Sequence, residues 1–285
     1  ACSPSLKTRV WIIDRFILPS PPPSPNLLLV PGEGEVTLFW DDVPEHYEDP
    51  ITREIDFEGY RIYSSPKTAG SMGESTLLAE FDRVNGLNYD TGFAAVRTDT
   101  VINGHRYYYR FTNTNLLSGW PGEYWFAVTS FDRGNPKNRL PSLESSVLEN
   151  KTYAIIGSPA RKAGSSLPVG VFPNPYRGQA MWDGDSDRQQ MLWFFNLPAE
   201  AEVRIYTLAG DVVDEFIHHG ATYKGEDVEL MQQRIGGSIT VLPGGLHAWD
   251  LISAFDQAIA TGLYFFSVKD LQSGEIQTGK FVVIK

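Results

Sequence analysis

Short runs that alternate apolar and polar residues, each closed by glycine, proline or asparagine, limit this chain more than any other feature. Successive side chains on a β-strand point to opposite faces, so a period of two marks a half-buried strand. Glu35-Val-Thr-Leu-Phe-Trp40 puts Val36, Leu38 and Trp40 on one face. Gly59-Tyr-Arg-Ile-Tyr63 does the same with Tyr60 and Ile62, and Thr76–Phe81 is a third candidate. Arg106–Thr112 and Glu123–Thr129 are dense in aromatic and β-branched residues, which suit a pleated surface. Met191–Leu197, Ala201–Tyr206, Val212–Ile217, His247–Asp250, Gly262–Val268 and Gly279–Ile284 carry strand patterns to the C-terminus. Gly210 supplies the positive φ of one hairpin, and Leu271–Glu275 turns a second. No segment holds a sustained helical period, so the predicted fold class is all-β, two antiparallel β-sandwiches joined by a linker.

The boundaries follow composition. Residues 1–27 read as an extended N-terminal linker, with Val10–Ile13 as one short strand. The run Pro19-Ser-Pro-Pro-Pro-Ser-Pro25 is predicted to be a stiff polyproline spacer. A first domain spans 28–155, and small, turn-forming residues make 156–168 a second linker. A second domain spans 169–285, with a glycine-rich insertion over 218–245 and a short helix near Glu226–Gln233. The net charge of −11 argues against nucleic acid as a partner. The apolar runs, such as Asn26–Val30, are too short to cross a bilayer, so no membrane span is expected. The single cysteine, Cys2, excludes an internal disulfide and a cysteine-rich metal site. Ala1-Cys2 is similar to the end of a bacterial lipobox, although processing there leaves the cysteine first. The chain is read as already processed or as a fragment of something longer.

Two resemblances add to this reading. Val36-Thr-Leu-Phe-Trp40, Gly59-Tyr-Arg-Ile-Tyr63 and Gly122-Glu-Tyr-Trp-Phe-Ala-Val-Thr-Ser-Phe-Asp132 together resemble a fibronectin type III domain over residues 28–155. Asn103–Phe111 competes with Gly122–Asp132 for the late strand of that family. The second is preferred, which leaves the first as part of an insertion at about 82–121. Residues 169–285 resemble the immunoglobulin-like type A C-terminal sorting domain of the type IX secretion system, which is related to a flagellar hook-cap domain. Five boxes occur in order: Pro173-Asn174-Pro175, Leu197-Pro198 with Val203–Gly210, Gly245-Leu-His-Ala-Trp249-Asp250, Ala260-Thr-Gly262-Leu-Tyr264-Phe-Phe-Ser-Val268, and Lys280–Lys285. The resemblance implies a secreted protein on the outer-membrane exterior, recognised by the translocon, with other surface proteins as partners. Thr261 replaces the usual serine, the His247–Trp249 spacing is compressed and the insertion is long. These departures fit a retained structural copy as well as a cleaved signal.

Catalytic patterns are thin. The histidines His46, His105, His218, His219 and His247 form no zinc-protease helix pattern, and no nucleophile elbow, phosphate loop or dinucleotide fingerprint occurs. His218-His219 at a strand end is read as solvated. The expectation is a non-enzymatic structural or interaction protein without a cofactor. Two acidic groups are calcium candidates: Asp183, Asp185 and Asp187 have the 1,3,5 oxygen spacing, and Asp41 and Asp42 sit in an acidic loop. Arg188 stands where a calcium loop needs glycine and Phe194 where it needs glutamate, so a plain polar loop is preferred. Trp120, Trp125, Tyr107, Tyr108 and Tyr109 suggest a glycan-stacking platform, yet alternation places half of them inside. The rival functions are accessory domains of a larger secreted hydrolase and a carbohydrate-binding module.

Overall fold

The computed structural model describes residues 20–50, 53–68, 71–72, 75–117, 123–135, 141–162, 165, 167–178, 180, 182–228, 231 and 240–285. Cys2, Val10–Ile13, Pro19, Trp120 and Gly122 lie outside the described residues, as does much of the expected helix near Glu226–Gln233. The first half contains β1 (Leu27–Pro31), β2 (Glu35–Trp40), β3 (Phe57–Thr68), β4 (Ser71–Met72), β5 (Thr76–Asp82), β6 (Arg97–Ile102), β7 (His105–Thr114), β8 (Glu123–Asp132) and β9 (Thr152–Ile155). One sheet has the order β1-β2-β7-β6. The other runs β9-β8-β3-β4, with β5 also paired to β3. The chain is all-β, as the alternation predicts.

The period-two faces meet between these sheets. Val36, Leu38 and Trp40 of β2 are fully buried, and so are Tyr60 and Ile62 of β3. Trp40 stacks on Tyr109 at 5.5 Å, and Tyr60 meets the edge of Trp40 at 5.8 Å. Each such side chain contributes roughly 1.5–3 kcal/mol through the apolar surface it removes from water. Of the aromatic candidates, Trp125, Tyr107 and Tyr109 are buried in the core, and Tyr108 is half-buried. The expected insertion at 82–121 is corrected in part. β7 pairs with the whole of β2, from Trp40↔Tyr109 to Glu35↔Thr114, and is an inner strand of the sheet. Its pattern resembles a late strand because any inner strand of a sandwich needs the same aromatic alternation.

Two segments read as linkers are fastened down. Pro22 and Pro25 are buried. Ser130 donates its hydroxyl to the carbonyls of Pro22 and Pro23, and the Asn150 amide donates to the carbonyl of Pro25. Proline lacks a donor but keeps its acceptor, so this strip takes bonds from β8 and the turn before β9 without joining the ladder. In 156–168, Ile156 is fully buried, and Gly157 N–H donates to Gly32 O. The Arg161 guanidinium reaches Glu275 at 2.9 Å and the Leu167 carbonyl at 3.2 Å. The segment therefore stitches the two halves together, a role its small residues do not announce.

The second half contains β10 (Gly170–Phe172), β11 (Tyr176–Arg177), β12 (Leu192–Phe195), β13 (Glu200–Tyr206), β14 (Val212–His219), β15 (Thr240–Val241), β16 (His247–Trp249), β17 (Gly262–Asp270) and β18 (Ile276–Ile284). The sheets are β10-β12-β16 and β11-β18-β17-β13-β14. β15, at the end of the long insertion, leaves this sandwich and pairs in parallel with Tyr153 and Ala154 of β9. A separate apolar cluster forms beneath it, in which Ile155 of the first half packs with Trp193, Tyr223, Val228 and Leu246 of the second.

Candidate functional site: the C-terminal sandwich

Pro173-Asn174-Pro175 carries the chain from β10 in one sheet to β11 in the other, with cis peptide bonds before both prolines. Between them the Asn174 amide donates to Lys280 O at 3.2 Å, and its oxygen accepts Val282 N–H at 3.2 Å. One side chain thus satisfies a donor and an acceptor on β18 before β11 takes over, pairing Tyr176 with Val283 in parallel. Thr261 and Lys285 exchange hydrogen bonds: Lys285 N–H to Thr261 Oγ1 at 2.8 Å, and that hydroxyl to Lys285 O at 3.3 Å. Serine has the same hydroxyl, so Thr261 keeps this chemistry. Gly262 opens β17, and Tyr264 stacks on Phe281 at 5.5 Å and donates to Ala260 O. Gly210 has φ +93° in the β13–β14 turn. Lys280 is exposed on β18, and the Lys285 ammonium lies 3.6 Å from Asp187.

Trp249 and Asp250 point into a different environment. Trp249 is buried and donates its indole N–H to Asp214 at 2.7 Å. Asp250 accepts Ile252 N–H, and burial together with the nearby Asp214 and Asp227 carboxylates pushes it up to about 6. Burial also raises Asp214, against the Trp249 hydrogen bond.

The histidines depart from expectation. His218 is fully buried, not solvated, because β14 runs beneath the insertion at that point. Its Nε2–H donates to Gly244 O at 2.8 Å, and its Nδ1 lies 3.1 Å from Nδ1 of His247. His247 Nε2 meets Asp227 at 3.0 Å. The His247 ring is sandwiched between Tyr223 at 3.9 Å and Phe216 at 4.2 Å. Tyr223 in turn accepts Ala248 N–H and donates to Ala248 O. Burial pushes His218 down to about 4. Burial opposes the Asp227 charge, but its bond to His247 and the His247 charge hold the carboxyl below the usual range. With its Nε2–H committed to Gly244 O, neutral His218 has Nδ1 left as an acceptor toward His247. This is a latch between insertion and sandwich; both nitrogens of each ring are occupied. His219 differs, since its ring is exposed and pairs with Glu200.

The carboxylates weighed for calcium have other partners. Asp183 accepts the Tyr176 hydroxyl and the N–H groups of Ala180 and Met191. Asp187 faces Lys285, whereas Asp185 is held through its backbone N–H, which donates to Gln189, and not through its carboxylate. Asp41 accepts from Asn26 and meets His105 at 3.1 Å, while Asp42 faces His46 at 3.3 Å. Among the described residues no group of three or more histidine, cysteine or acidic side chains is arranged to hold a metal ion. Asp227, Tyr223 and Asp214 were not singled out in the sequence. They lie 20 to 35 positions from His247 and Trp249, and nothing local marks their convergence.

No family model matches the chain, and no curated protein matches it. Among solved structures it is similar to PorZ, a bacterial surface component of the type IX secretion system of Porphyromonas gingivalis, at 15% identity and a TM-score of 0.30. The alignment covers 91% of this chain and 30% of PorZ. Dimeric latent PorU from the same organism aligns at 15% identity and a TM-score of 0.26, over 93% of this chain and 20% of PorU. The BSP domain of a biofilm-associated protein aligns at 12% identity and a TM-score of 0.25, over 91% of this chain and 29% of that one. The chain thus spans less than a third of each of these structures, and likeness at such scores carries no argument about function.

Proposed function

We propose that this chain is a secreted, cell-surface structural protein, or the C-terminal segment of one, exported through a type IX system with residues 169–285 as its docking module. The observation that carries the reading is the clasp on β18. Asn174 of the first box binds the backbone of Lys280 and Val282 in the last box, more than a hundred residues away. Thr261 of the fourth box binds Lys285. Boxes far apart in sequence thus converge on one terminal strand, with the lysines of the closing box at its surface. Strands are recognised through edges and flanking charges, which suits capture by an outer-membrane translocon. The function is non-enzymatic, and other surface proteins of a larger assembly are its partners.

The test is export from a host that has a type IX system. A reporter fused ahead of the full chain should reach the cell surface, and the same fusion ending at residue 168 should not. The double variant Lys280→Glu, Lys285→Glu should fold, by circular dichroism, yet lose most of its surface signal. Surface delivery of the truncated fusion would overturn the reading.

A further inference from the structure

The edge of β7 in the first sandwich is left open over part of its length. β6 covers β7 from Ile102↔His105 to Arg97↔Tyr109 and then stops. The last bond across this side is Arg110 N–H to Val96 O at 2.7 Å. Backbone groups of a strand alternate in direction, so the N–H and C=O of Thr112 and Thr114 point the same way as those of Arg110. Among the described residues they meet no partner strand on that side, since the paired side of β7 belongs to β2.

A cleft of about 330 Å³ lies against this edge, lined by Phe81, Val96, Arg97, Arg110, Phe111 and Thr112. Phe81 of β5 meets Phe111 of β7 at 6.4 Å across the gap between the sheets. The charge here is opposite in sign to the net charge of the chain. The chain carries a net charge of −11, yet both ionisable residues lining the cleft are arginines, and no carboxylate lines it. Arg97 donates to the Tyr109 hydroxyl at 2.7 Å and lies over the Tyr108 and Tyr109 rings. The Arg110 guanidinium has no hydrogen-bond or ion-pair partner among the described residues, whereas Arg61, Arg106 and Arg204 each hold carboxylates.

We infer that an extended polypeptide segment of alternating acidic and apolar residues docks here as an added strand, continuing the line of β6 along Thr112–Thr114. Its backbone takes up the open N–H and C=O groups. On one face its apolar side chains enter the cleft against Phe81 and Phe111. On the other, the carboxylate opposite Thr112 lies diagonal to Arg110, within reach of its guanidinium. This deepens the partner class of the docking reading, but its site is on the first sandwich and does not depend on export through the second.

The experiment uses the purified full chain and a capped peptide Glu-Val-Glu-Val-Glu, with Lys-Val-Lys-Val-Lys as its counterpart. Backbone amide shifts should move at Thr112 and Thr114 with the acidic peptide and not with the basic one. Arg110→Glu should weaken acidic-peptide binding about tenfold. Arg97→Glu with Arg110→Glu should make the basic peptide the better ligand. Both arginine side chains are exposed, so folding is expected to survive and is checked by circular dichroism. Thr112→Pro, which removes one of the open donors, should abolish binding. Absence of binding up to millimolar peptide, equal affinity for both peptides, or shifts confined to other strands would overturn the inference. Since export is not involved, its failure leaves the sorting proposal standing, and the reverse also holds.

Discussion

Replacing His218 with glutamine should remove a specific slope from the pH dependence of stability. Burial pushes this histidine from an ordinary 6.5 down to about 4. That gap of roughly 2.5 units corresponds to about 3 kcal/mol, at 1.36 kcal/mol per unit. The sign follows from proton counts. Between pH 6.5 and pH 4 the unfolded chain holds a proton on this ring that the folded chain does not. Stability therefore falls as pH drops through that window, and the loss is complete near pH 4. Structurally, the second proton would go on Nδ1, which faces Nδ1 of His247 at 3.1 Å, where one proton is already shared. Glutamine stays neutral and can still donate to Gly244 O. Asp56 and Asp250, both pushed up to about 6 with burial as the leading cause, change stability in the opposite direction over this range. They are present in both proteins, so the difference between the two curves isolates His218. Urea unfolding followed by tryptophan fluorescence at pH 7.5, 6, 5 and 4 measures it. Wild type should lose about 3 kcal/mol relative to His218→Gln between the extremes. Amide exchange at Tyr153 and Ala154 should speed up in parallel, because the latch holds the insertion that carries β15. A difference curve flat to within about 0.5 kcal/mol, or one sloping the other way, would refute the reasoning.

Other substitutions test other contacts. Asp250→Asn should raise stability at pH 7, since the folded chain holds a carboxyl above its ordinary value; part exposure to solvent limits the gain to about 1–2 kcal/mol. That gain should vanish as pH falls to about 4. Asn174→Ala should cost about 1–3 kcal/mol by leaving Lys280 O and Val282 N–H unpaired, read as a lowered urea midpoint and faster exchange at Val282. Gly245→Ala should undock the insertion, because its Cβ would sit 2.3 Å from the Pro159 carbonyl oxygen; Tyr153 and Ala154 would then exchange quickly while β17 and β18 stay protected. Trp249→Phe should cost about 2 kcal/mol by stranding Asp214 and thinning the core, again read by urea unfolding.

Much of the framework is legible from alternation alone. Val36, Leu38, Trp40, Tyr60 and Ile62 are all buried as their parity predicts, and the two C-terminal hairpins turn where glycine and polar residues indicate. Strand spacing cannot say which strand pairs with which. That is why Asn103–Phe111 reads as part of an insertion, a strand or a hairpin, although β7 is the inner neighbour of β2. The candidate site is legible as motifs and not as contacts. Each box is local, whereas the Asn174 clasp spans more than a hundred residues.

The sequence by itself determined the secondary structure class and the faces of the strands, because a two-residue period acts within a few positions. Only the tertiary structure decided what became of the apparently loose segments. The proline strip binds β8, the 156–168 segment joins the halves, and the insertion sends β15 into the first sandwich. The same holds for His218, whose polar character suggested solvent. Its burial depends on Gly244, His247, Asp227 and Tyr223 arriving together from distant parts of the chain, and no local pattern encodes that meeting.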